Sequence, residues 1–69
     1  MQGPLGHRLR LLRAERGLTL REVKELTGLD QWTITKIEHG KAHPRGITLG
    51  KLAKAYRVPL EDLLEPVPA

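Results

Sequence analysis

Apolar residues recur along the chain at helical spacing, and short polar or glycine-containing turns separate the apolar stripes. Leu5, Leu9 and Leu12 lie four and three positions apart, which predicts a helix over about residues 5–16. Gly17 follows directly, and glycine readily adopts the left-handed conformation that ends a helix. The pattern therefore predicts a first helix that packs its leucines inward and ends at a glycine.

A second helix is predicted over about residues 20–27 from the residues at its two ends. Thr19 stands three positions before Glu22, the capping-box arrangement in which each side chain accepts a hydrogen bond from a backbone N–H near the helix start. Gly28 is the expected end, because a residue without Cβ adopts the left-handed conformation at little cost. The residues expected to face inward are Val23 and Leu26.

A third helix is predicted over about residues 31–39. Asp30, a preferred N-cap residue, comes two positions after Gly28, and Gly40 marks the expected end. A connection this short does not let two helices lie antiparallel, so they are expected to cross steeply, as in a helix-turn-helix. The residues expected to face inward are Ile34 and Ile37.

Two further helices complete the prediction. Thr48 is expected to cap a fourth helix over about residues 48–57, in which apolar residues recur at helical spacing. Pro59 favours a short fifth helix over about residues 60–64, because proline suits the first turn of a helix. The residues expected to face inward are Leu49, Leu52, Ala53 and Tyr56 in the fourth helix and Leu60, Leu63 and Leu64 in the fifth.

The predicted fold is all-α, a compact five-helix bundle in one domain over residues 1–65, with a short Pro-rich tail over residues 66–69. Sixty-nine residues suffice for one small domain, and thirteen leucines against two aromatic residues favour helices. Cysteine is absent, so neither a disulfide framework nor a thiolate metal site is expected. Apolar runs never exceed two residues, and no signal-peptide region is recognisable, so we expect a cytoplasmic protein that does not cross a membrane.

The charge of the chain is unevenly distributed. The formal net charge is +4, and residues 41–57 carry five basic residues and no acidic one, whereas residues 58–69 carry only acidic charges. A positive side of this kind favours an anionic partner. Charge alone separates nucleic acid only weakly from an ordinary solvated surface, and the basic residues of the fourth helix are interpreted as such a surface. They are Lys51, Lys54 and Arg57.

The third helix has the side chains that could read DNA bases. With Ile34 and Ile37 turned inward, the 100° step per residue places an amide, an indole, a hydroxyl and an ammonium group on the outer side. An α-helix fits the major groove, where an amide can bond adenine, an ammonium can reach guanine acceptors, and a threonine or aromatic side chain can contact the thymine methyl. The predicted base-reading residues are Gln31, Trp32, Thr35 and Lys36.

Groups suited to DNA phosphates flank this helix on both sides. The first turn of the second helix offers backbone N–H groups, and the loop after the third helix is basic. Loop and helix end could therefore straddle the groove. The residues predicted on this basis to contact the DNA backbone are Thr19, Arg21, His39, Lys41, His43 and Arg45.

The run from Leu9 to Leu64 resembles the helix-turn-helix domain of the Cro and phage-repressor type, often called XRE-like. The segments that carry the resemblance are LRLLRAERGLTL, VKELTGLDQWTITKIEHGKAHP and LGKLAKAYRVPLEDLL. The resemblance implies that Arg13 and Glu38 form a bidentate, half-buried ion pair of structural importance. It also implies base reading by Gln31, Trp32 and Lys36, positions nearer the backbone for Asp30 and Thr33, and a phosphate-contacting loop at His39, Lys41 and Arg45.

The chain departs from the family pattern at three positions. Leu20 stands where the family commonly has glutamine, Lys24 stands where alanine is usual, and Trp32 occupies a reading position that is usually polar. Together, Leu20 and Trp32 could form an apolar patch on the face expected to meet DNA. This patch supports an alternative function, an antitoxin-like or adaptor module that binds a second protein through the Leu20 and Trp32 face.

Catalysis and metal binding find no support in the sequence. The chain contains no serine, and no acidic pair or histidine stands in a pattern that indicates acid–base chemistry. His39 and His43 have the spacing of a metal pair, but no cysteine or matching acidic ligand accompanies them. We therefore expect neither an enzyme nor a metal site, and no cofactor.

The sequence thus predicts a sequence-specific transcriptional regulator of the repressor type that binds double-stranded DNA and inserts helix 31–39 in the major groove. A module this small reads few base pairs, so we expect a homodimer on two half-sites about 34 Å apart. We also expect association with the nucleoid. The residues predicted to form the dimer surface are Val58, Leu60, Leu63 and Leu64.

Overall fold

A computed structural model describes residues 4–64 as four α-helices and one 3₁₀ turn. The helices are α1 (Pro4–Glu15), α2 (Leu20–Thr27), α3 (Gln31–Glu38) and α4 (Gly46–Tyr56), and the 3₁₀ turn spans Leu60–Asp62. The all-α prediction is confirmed. The prediction of five helices is wrong, because residues 60–64 form only a single 3₁₀ turn in which the N–H of Leu63 donates to the carbonyl of Leu60. The predicted tail over residues 66–69 lies outside the described residues.

The predicted ends of α1 and α2 are confirmed. Gly17 and Gly28 adopt left-handed backbone conformations, with φ angles of +63° and +76°. The capping box at the start of α2 is complete: the N–H of Glu22 donates to Thr19 Oγ1 at 3.1 Å, and the N–H of Thr19 donates to Glu22 Oε1 at 3.0 Å. Sequence and local geometry therefore agree on where α2 begins and ends.

The start of α4 differs from the prediction. Thr48 is not the cap, because Arg45 occupies the N-cap position and α4 begins at Gly46. No side chain caps this helix, and none caps α3 either, although Asp30 does occupy the N-cap position there. Arg45, Gly46 and Asp30 are exposed, so water can satisfy the backbone N–H groups that a capping side chain would otherwise take.

The core lies between the four helices and is closed by the 3₁₀ turn. Its side chains come from the four helices and from Leu63, which directly follows the 3₁₀ turn. The helix α3 packs against α1 and α2, while α4 packs against α2 and the 3₁₀ turn. Most of the positions predicted to face inward are buried, as the helical spacing indicated. The buried apolar residues are Leu9, Val23, Ile34, Ile37, Leu49, Leu52, Ala53, Tyr56 and Leu63.

Three leucines predicted to face inward are on the surface: Leu26, Leu60 and Leu64 are 59%, 41% and 50% exposed. In α2, Thr27 takes the inward position instead, four residues after the buried Val23. Its hydroxyl donates to the carbonyl of Val23 at 2.7 Å and accepts from the N–H of Leu29 at 3.1 Å. Because both hydrogen bonds are made inside the fold, the threonine is buried at little cost and the leucine turns outward.

The longest described helix, α1, has 12 residues. None of the helices within residues 4–64 is therefore long enough to cross a lipid bilayer.

Candidate nucleic-acid interface

The outer side of α3 keeps its predicted base-reading side chains accessible. Trp32 is 67% exposed, and the other three side chains are partly exposed. Ile34 and Ile37 on the inner side are buried, so the inward and outward sides of α3 are those that the spacing predicted. The three partly exposed residues are Gln31, Thr35 and Lys36.

The C-terminal end of α3 is held to α1 by a bidentate ion pair. Arg13 Nε donates to Glu38 Oε2 at 2.7 Å, and Arg13 Nη2 donates to Glu38 Oε1 at 3.0 Å. The side chains are 21% and 5% exposed, respectively. The hydrogen bond to Glu38 raises the pKa of Arg13 against the opposing effect of burial. Arg13 also donates to the carbonyl of Leu18 at 3.1 Å, so one guanidinium joins α1, α3 and the α1–α2 turn.

A close backbone approach accompanies this ion pair. Gly6 of α1 is buried, and a Cβ atom placed there would lie 2.5 Å from the carbonyl oxygen of Glu38 and 2.7 Å from that of Ile37. Only glycine therefore fits where α1 passes the last turn of α3. This role of Gly6 was not predicted from the sequence, although a glycine inside a helical pattern is the kind of residue that marks a close approach.

Tyr56 of α4 is buried beside the same ion pair. Burial raises the pKa of its hydroxyl to about 12, and the negative charge of Glu38 adds to this effect, while Arg13 and Arg16 oppose it. Within residues 4–64 the phenolic oxygen has no hydrogen-bonding partner. The surroundings of the hydroxyl behind α3 therefore disfavour its ionised form.

The residues predicted to contact the DNA backbone lie on the surface. The α3–α4 loop and the start of α2 supply six of them, all exposed, and Thr33 on α3 is partly exposed. Arg21 Nε lies 3.7 Å from Glu25 Oε1, and both side chains are largely in solvent. This ion pair therefore restrains the arginine little. The six exposed residues are Thr19, Arg21, His39, Lys41, His43 and Arg45.

The predicted dimer surface is only partly accessible. Leu63 is 2% exposed and belongs to the core of its own chain, so it is removed from the surface. Val58 is half-buried against the core, whereas Leu60 and Leu64 are exposed. Leu11, which the sequence did not place at this surface, is 49% exposed and lines a shallow groove of about 240 Å³ together with Val58.

The alternative protein-binding patch is smaller than the sequence suggests. Leu20 is half-buried and packs against the core, which leaves Trp32 as the exposed member of the patch.

Within the described part of the chain no three potential metal-ligating side chains come together.

Two short helices joined by a tight turn, with the second helix anchored behind and exposed in front, define a helix-turn-helix protein. Residues 9–63 match the family described as helix-turn-helix. The chain belongs to this family, of the Cro and phage-repressor (XRE-like) type, and the resemblance found in the sequence is confirmed.

Comparison with known proteins gives relatives of the same kind. The chain is 42% identical over 62 residues to the uncharacterized HTH-type transcriptional regulator RghRB of Bacillus subtilis, a match that covers 88% of this chain and 45% of the relative. It therefore spans less than half the length of that relative. The restriction-modification controller protein C.AhdI from Aeromonas hydrophila has a similar structure, with a TM-score of 0.83, 32% identity and coverage of 87% of this chain and 91% of that chain. SinR, the master regulator for biofilm formation, solved in complex with DNA, gives a TM-score of 0.83 at 27% identity and covers 88% and 98% of the two chains.

Proposed function

We propose that this chain is a sequence-specific transcriptional regulator that binds double-stranded DNA by inserting α3 in the major groove. The observation that carries the proposal is the contrast across α3. Its inner side is fixed by Ile34, Ile37 and the Arg13–Glu38 ion pair, while its outer side offers Trp32 and three polar side chains to a partner. Relatives that are named as transcriptional regulators, and a similar structure solved with DNA, support the same function.

Base reading follows from the chemistry of the outer side chains. Gln31 can form two hydrogen bonds with adenine, Lys36 can donate to the acceptors of guanine, and Thr35 can contact a thymine methyl or a hydrogen-bonding base edge. Trp32 offers an indole face to a thymine methyl or a sugar. Because Trp32 is the most exposed of the four, it would meet the groove first.

Phosphate contacts orient the helix in this proposal. Lys41 and Arg45 of the α3–α4 loop and Arg21 at the start of α2 are exposed cations on the segments that follow and precede α3 in the chain. Thr19, His39 and His43 on the same segments, and Thr33 on α3, add hydrogen-bonding groups. Such contacts fix the position of a protein on DNA and carry no sequence information themselves.

A homodimer completes the proposal. One small domain reads few base pairs, whereas a two-fold symmetric dimer binds two half-sites about 34 Å apart in a palindromic operator. Leu11, Val58, Leu60 and Leu64 are the residues that we place at the dimer surface. Their apolar groups are exposed or line the shallow groove beside the 3₁₀ turn. A regulator of this kind would act in the cytoplasm on the DNA of the nucleoid.

A second protein that binds Trp32 is the alternative function, favoured by the 67% exposure of this indole. The salt dependence of binding distinguishes the DNA-binding function from the protein-binding alternative. DNA affinity falls as a power of salt concentration, because bound phosphates release counterions. An apolar contact with a protein responds little to salt.

The proposal is tested by selecting bound sequences from a random duplex library and by measuring the mass of the complex by sedimentation. We expect a palindromic sequence and a dimer. Lys41→Ala and Arg45→Ala should weaken binding to every duplex and reduce the salt dependence. Gln31→Ala and Lys36→Ala should cost about 1–3 kcal/mol on the selected sequence alone.

Arg10→Ala provides a matched control, because Arg10 is an exposed cation of α1 outside the proposed interface. Its effect should be smaller than that of either loop variant. Equal losses on random and selected duplexes for all four variants would contradict the assigned roles. Absence of duplex binding at low salt would contradict the function itself.

A further inference from the structure

A groove of about 650 Å³ lies between the α1–α2 turn, α2 and α4. Leu18, Leu26 and Ala55 form its apolar part, and no residue of α3 or of the α3–α4 loop lines it. Leu26 is 59% exposed, so much of its surface remains available to a partner. Burial of such apolar surface favours the binding of a partner. The groove is thus an apolar surface separate from the proposed DNA interface.

Basic side chains surround this apolar surface, and no acidic side chain lines it. Lys51 and Lys54 lie three residues apart on α4, about 4.5 Å along its axis at 1.5 Å per residue. Arg57 follows as the left-handed C-cap of the helix. Arg16 is held at the groove by hydrogen bonds to the backbone carbonyls of Leu12 and Tyr56. These carbonyls are neutral and leave its positive charge uncompensated.

The four cations have no acidic partner in the part of the chain that the structure describes. The ion pairs found within residues 4–64 are Arg13–Glu38 and Arg21–Glu25, and neither involves the groove. Four cations around an apolar surface create a local field that favours an anionic partner. That partner must also have apolar side chains, because the groove offers apolar contacts at its centre.

We propose that this groove binds an acidic amphipathic helix of another protein. Leucine-like side chains of that helix would cover Leu18, Leu26 and Ala55, and its carboxylates would lie against the four cations. This is the mode in which an amphipathic helix places its apolar face in a groove between helices. A DNA backbone would match the charge but would leave the exposed surface of Leu26 without an apolar partner, so the observations favour a protein helix.

Selection from a displayed library of random 16-residue helical peptides against the full chain tests the proposal. We expect enriched peptides with apolar residues at helical spacing and with Asp or Glu on the flanking positions. One enriched peptide, synthesised with a fluorescent label, should then bind Leu26→Ser and Lys54→Glu at least about tenfold more weakly, as expected for residues at the centre of an interface.

Arg10→Glu is the matched control, since it makes the same type of charge change on an exposed residue of α1 that does not line the groove. It should change peptide affinity by less than about twofold. Leu26→Ser should retain the melting temperature of the parent chain within a few degrees, because the leucine is largely exposed.

Three results would overturn the proposal. The first is enrichment of peptides without acidic residues, or of peptides whose binding neither groove variant weakens. The second is a loss of duplex DNA affinity in Lys54→Glu well beyond that in Arg10→Glu, with no peptide enriched, because the groove would then bind DNA. The third is self-association in sedimentation that Leu26→Ser abolishes, because a second copy of the chain would then occupy the groove.

Discussion

The two ends of α3 are built in opposite ways. At its C-terminal end, Glu38 is buried in a bidentate pair with Arg13, and Gly6 of α1 lies against its last carbonyl groups. At its N-terminal end, Asp30 makes no side-chain hydrogen bond to the helix, and Trp32 is 67% exposed. One end is therefore fixed by tertiary contacts, whereas the other presents side chains and backbone to solvent.

This difference explains how a helix of eight residues can be both rigidly placed and available. An isolated helix this short is unstable in water, so its orientation must come from the contacts behind it. The fixed end supplies that orientation through α1. The open end can then offer its first turn and its outer side chains to a ligand without disturbing the core. Substitutions at the fixed end should therefore cost more stability than substitutions at the open end.

The largest effect is expected from Arg13→Ala. Removal of the guanidinium leaves the carboxylate of Glu38 buried without a cation. Breaking a fully buried ion pair typically costs about 3–5 kcal/mol, and because Arg13 is 21% exposed we expect the lower end of that range. A domain of this size is stable by only a few kcal/mol, so the variant should be largely unfolded. Urea unfolding followed by circular dichroism measures the loss.

Two further variants control for this result. Arg13→Lys keeps the charge but loses the bidentate geometry, so its loss should be intermediate. The double variant Arg13→Met with Glu38→Gln removes both charges and should be more stable than Arg13→Ala. A loss below about 1 kcal/mol for Arg13→Ala would show that the pair does not anchor α3.

Gly6→Ala should have the next largest effect. The added methyl group would meet backbone carbonyl oxygens of α3 at 2.5 and 2.7 Å, and backbone atoms cannot move aside as a flexible side chain can. Overpacking of this kind costs about 1–3 kcal/mol, and we expect the upper part of that range. The unfolding free energy in urea measures it.

Gly50→Ala is the matched control for this prediction. Gly50 lies within α4, and a Cβ atom there would meet nothing within 4 Å. Alanine is the better helix former, so this variant should gain up to about 1 kcal/mol. Both substitutions raise helix propensity, so a loss of stability in Gly6→Ala beside a gain in Gly50→Ala must come from the close approach at Gly6. A neutral Gly6→Ala would refute the close approach.

Much of the fold could be predicted from the sequence because local rules decide it. The bounds of α2, the left-handed glycines at 17 and 28, and the inward side of α3 follow from capping chemistry and helical spacing. These features depend on residues three or four positions apart. The same rules failed at Leu26, because Thr27 takes the inward position and makes its hydrogen bonds inside the fold. They also failed at residues 60–64, where only a 3₁₀ turn over Leu60–Asp62 forms.

The same distinction between local and long-range features applies to the candidate site. The exposed position of Trp32 follows from helical spacing, whereas the Arg13–Glu38 pair joins residues 25 positions apart and was expected only from the family resemblance. The role of Gly6 and the basic groove around Leu26 depend on how helices pack against one another. No spacing rule contains that information. Which bases the outer side chains read stays a prediction.

Tyr56 gives a smaller effect that reports on the environment behind α3. The pKa of its hydroxyl is raised to about 12 in the folded protein from its ordinary value near 10. The unfolded state therefore loses this proton first, and stability should fall as pH rises from about 10 to 12. At 1.36 kcal/mol per pKa unit, the loss should reach about 2 kcal/mol near pH 11.5.

Tyr56→Phe isolates this effect from the titration of the lysines. The variant lacks the ionisable group, so its unfolding free energy should decline less over the same pH range. The difference between the two chains, measured by urea unfolding at pH 8, 10 and 11.5, gives the contribution of the tyrosine. Parallel pH profiles would mean that the hydroxyl is not buried as described.

The smallest effects separate the capped start of α2 from the open start of α3. Thr19 accepts a hydrogen bond from the N–H of Glu22 at 3.1 Å, and replacing such a cap with alanine costs about 1 kcal/mol. Asp30 stands at the equivalent position of α3 but makes no capping hydrogen bond. Asp30→Ala should therefore change the unfolding free energy by only a few tenths of a kcal/mol, mainly through the loss of a charge near a helix N-terminus. If both variants lose about 1 kcal/mol in urea unfolding, the two helix starts are equally capped in solution, and the contrast between the fixed and open ends of α3 would have to be withdrawn.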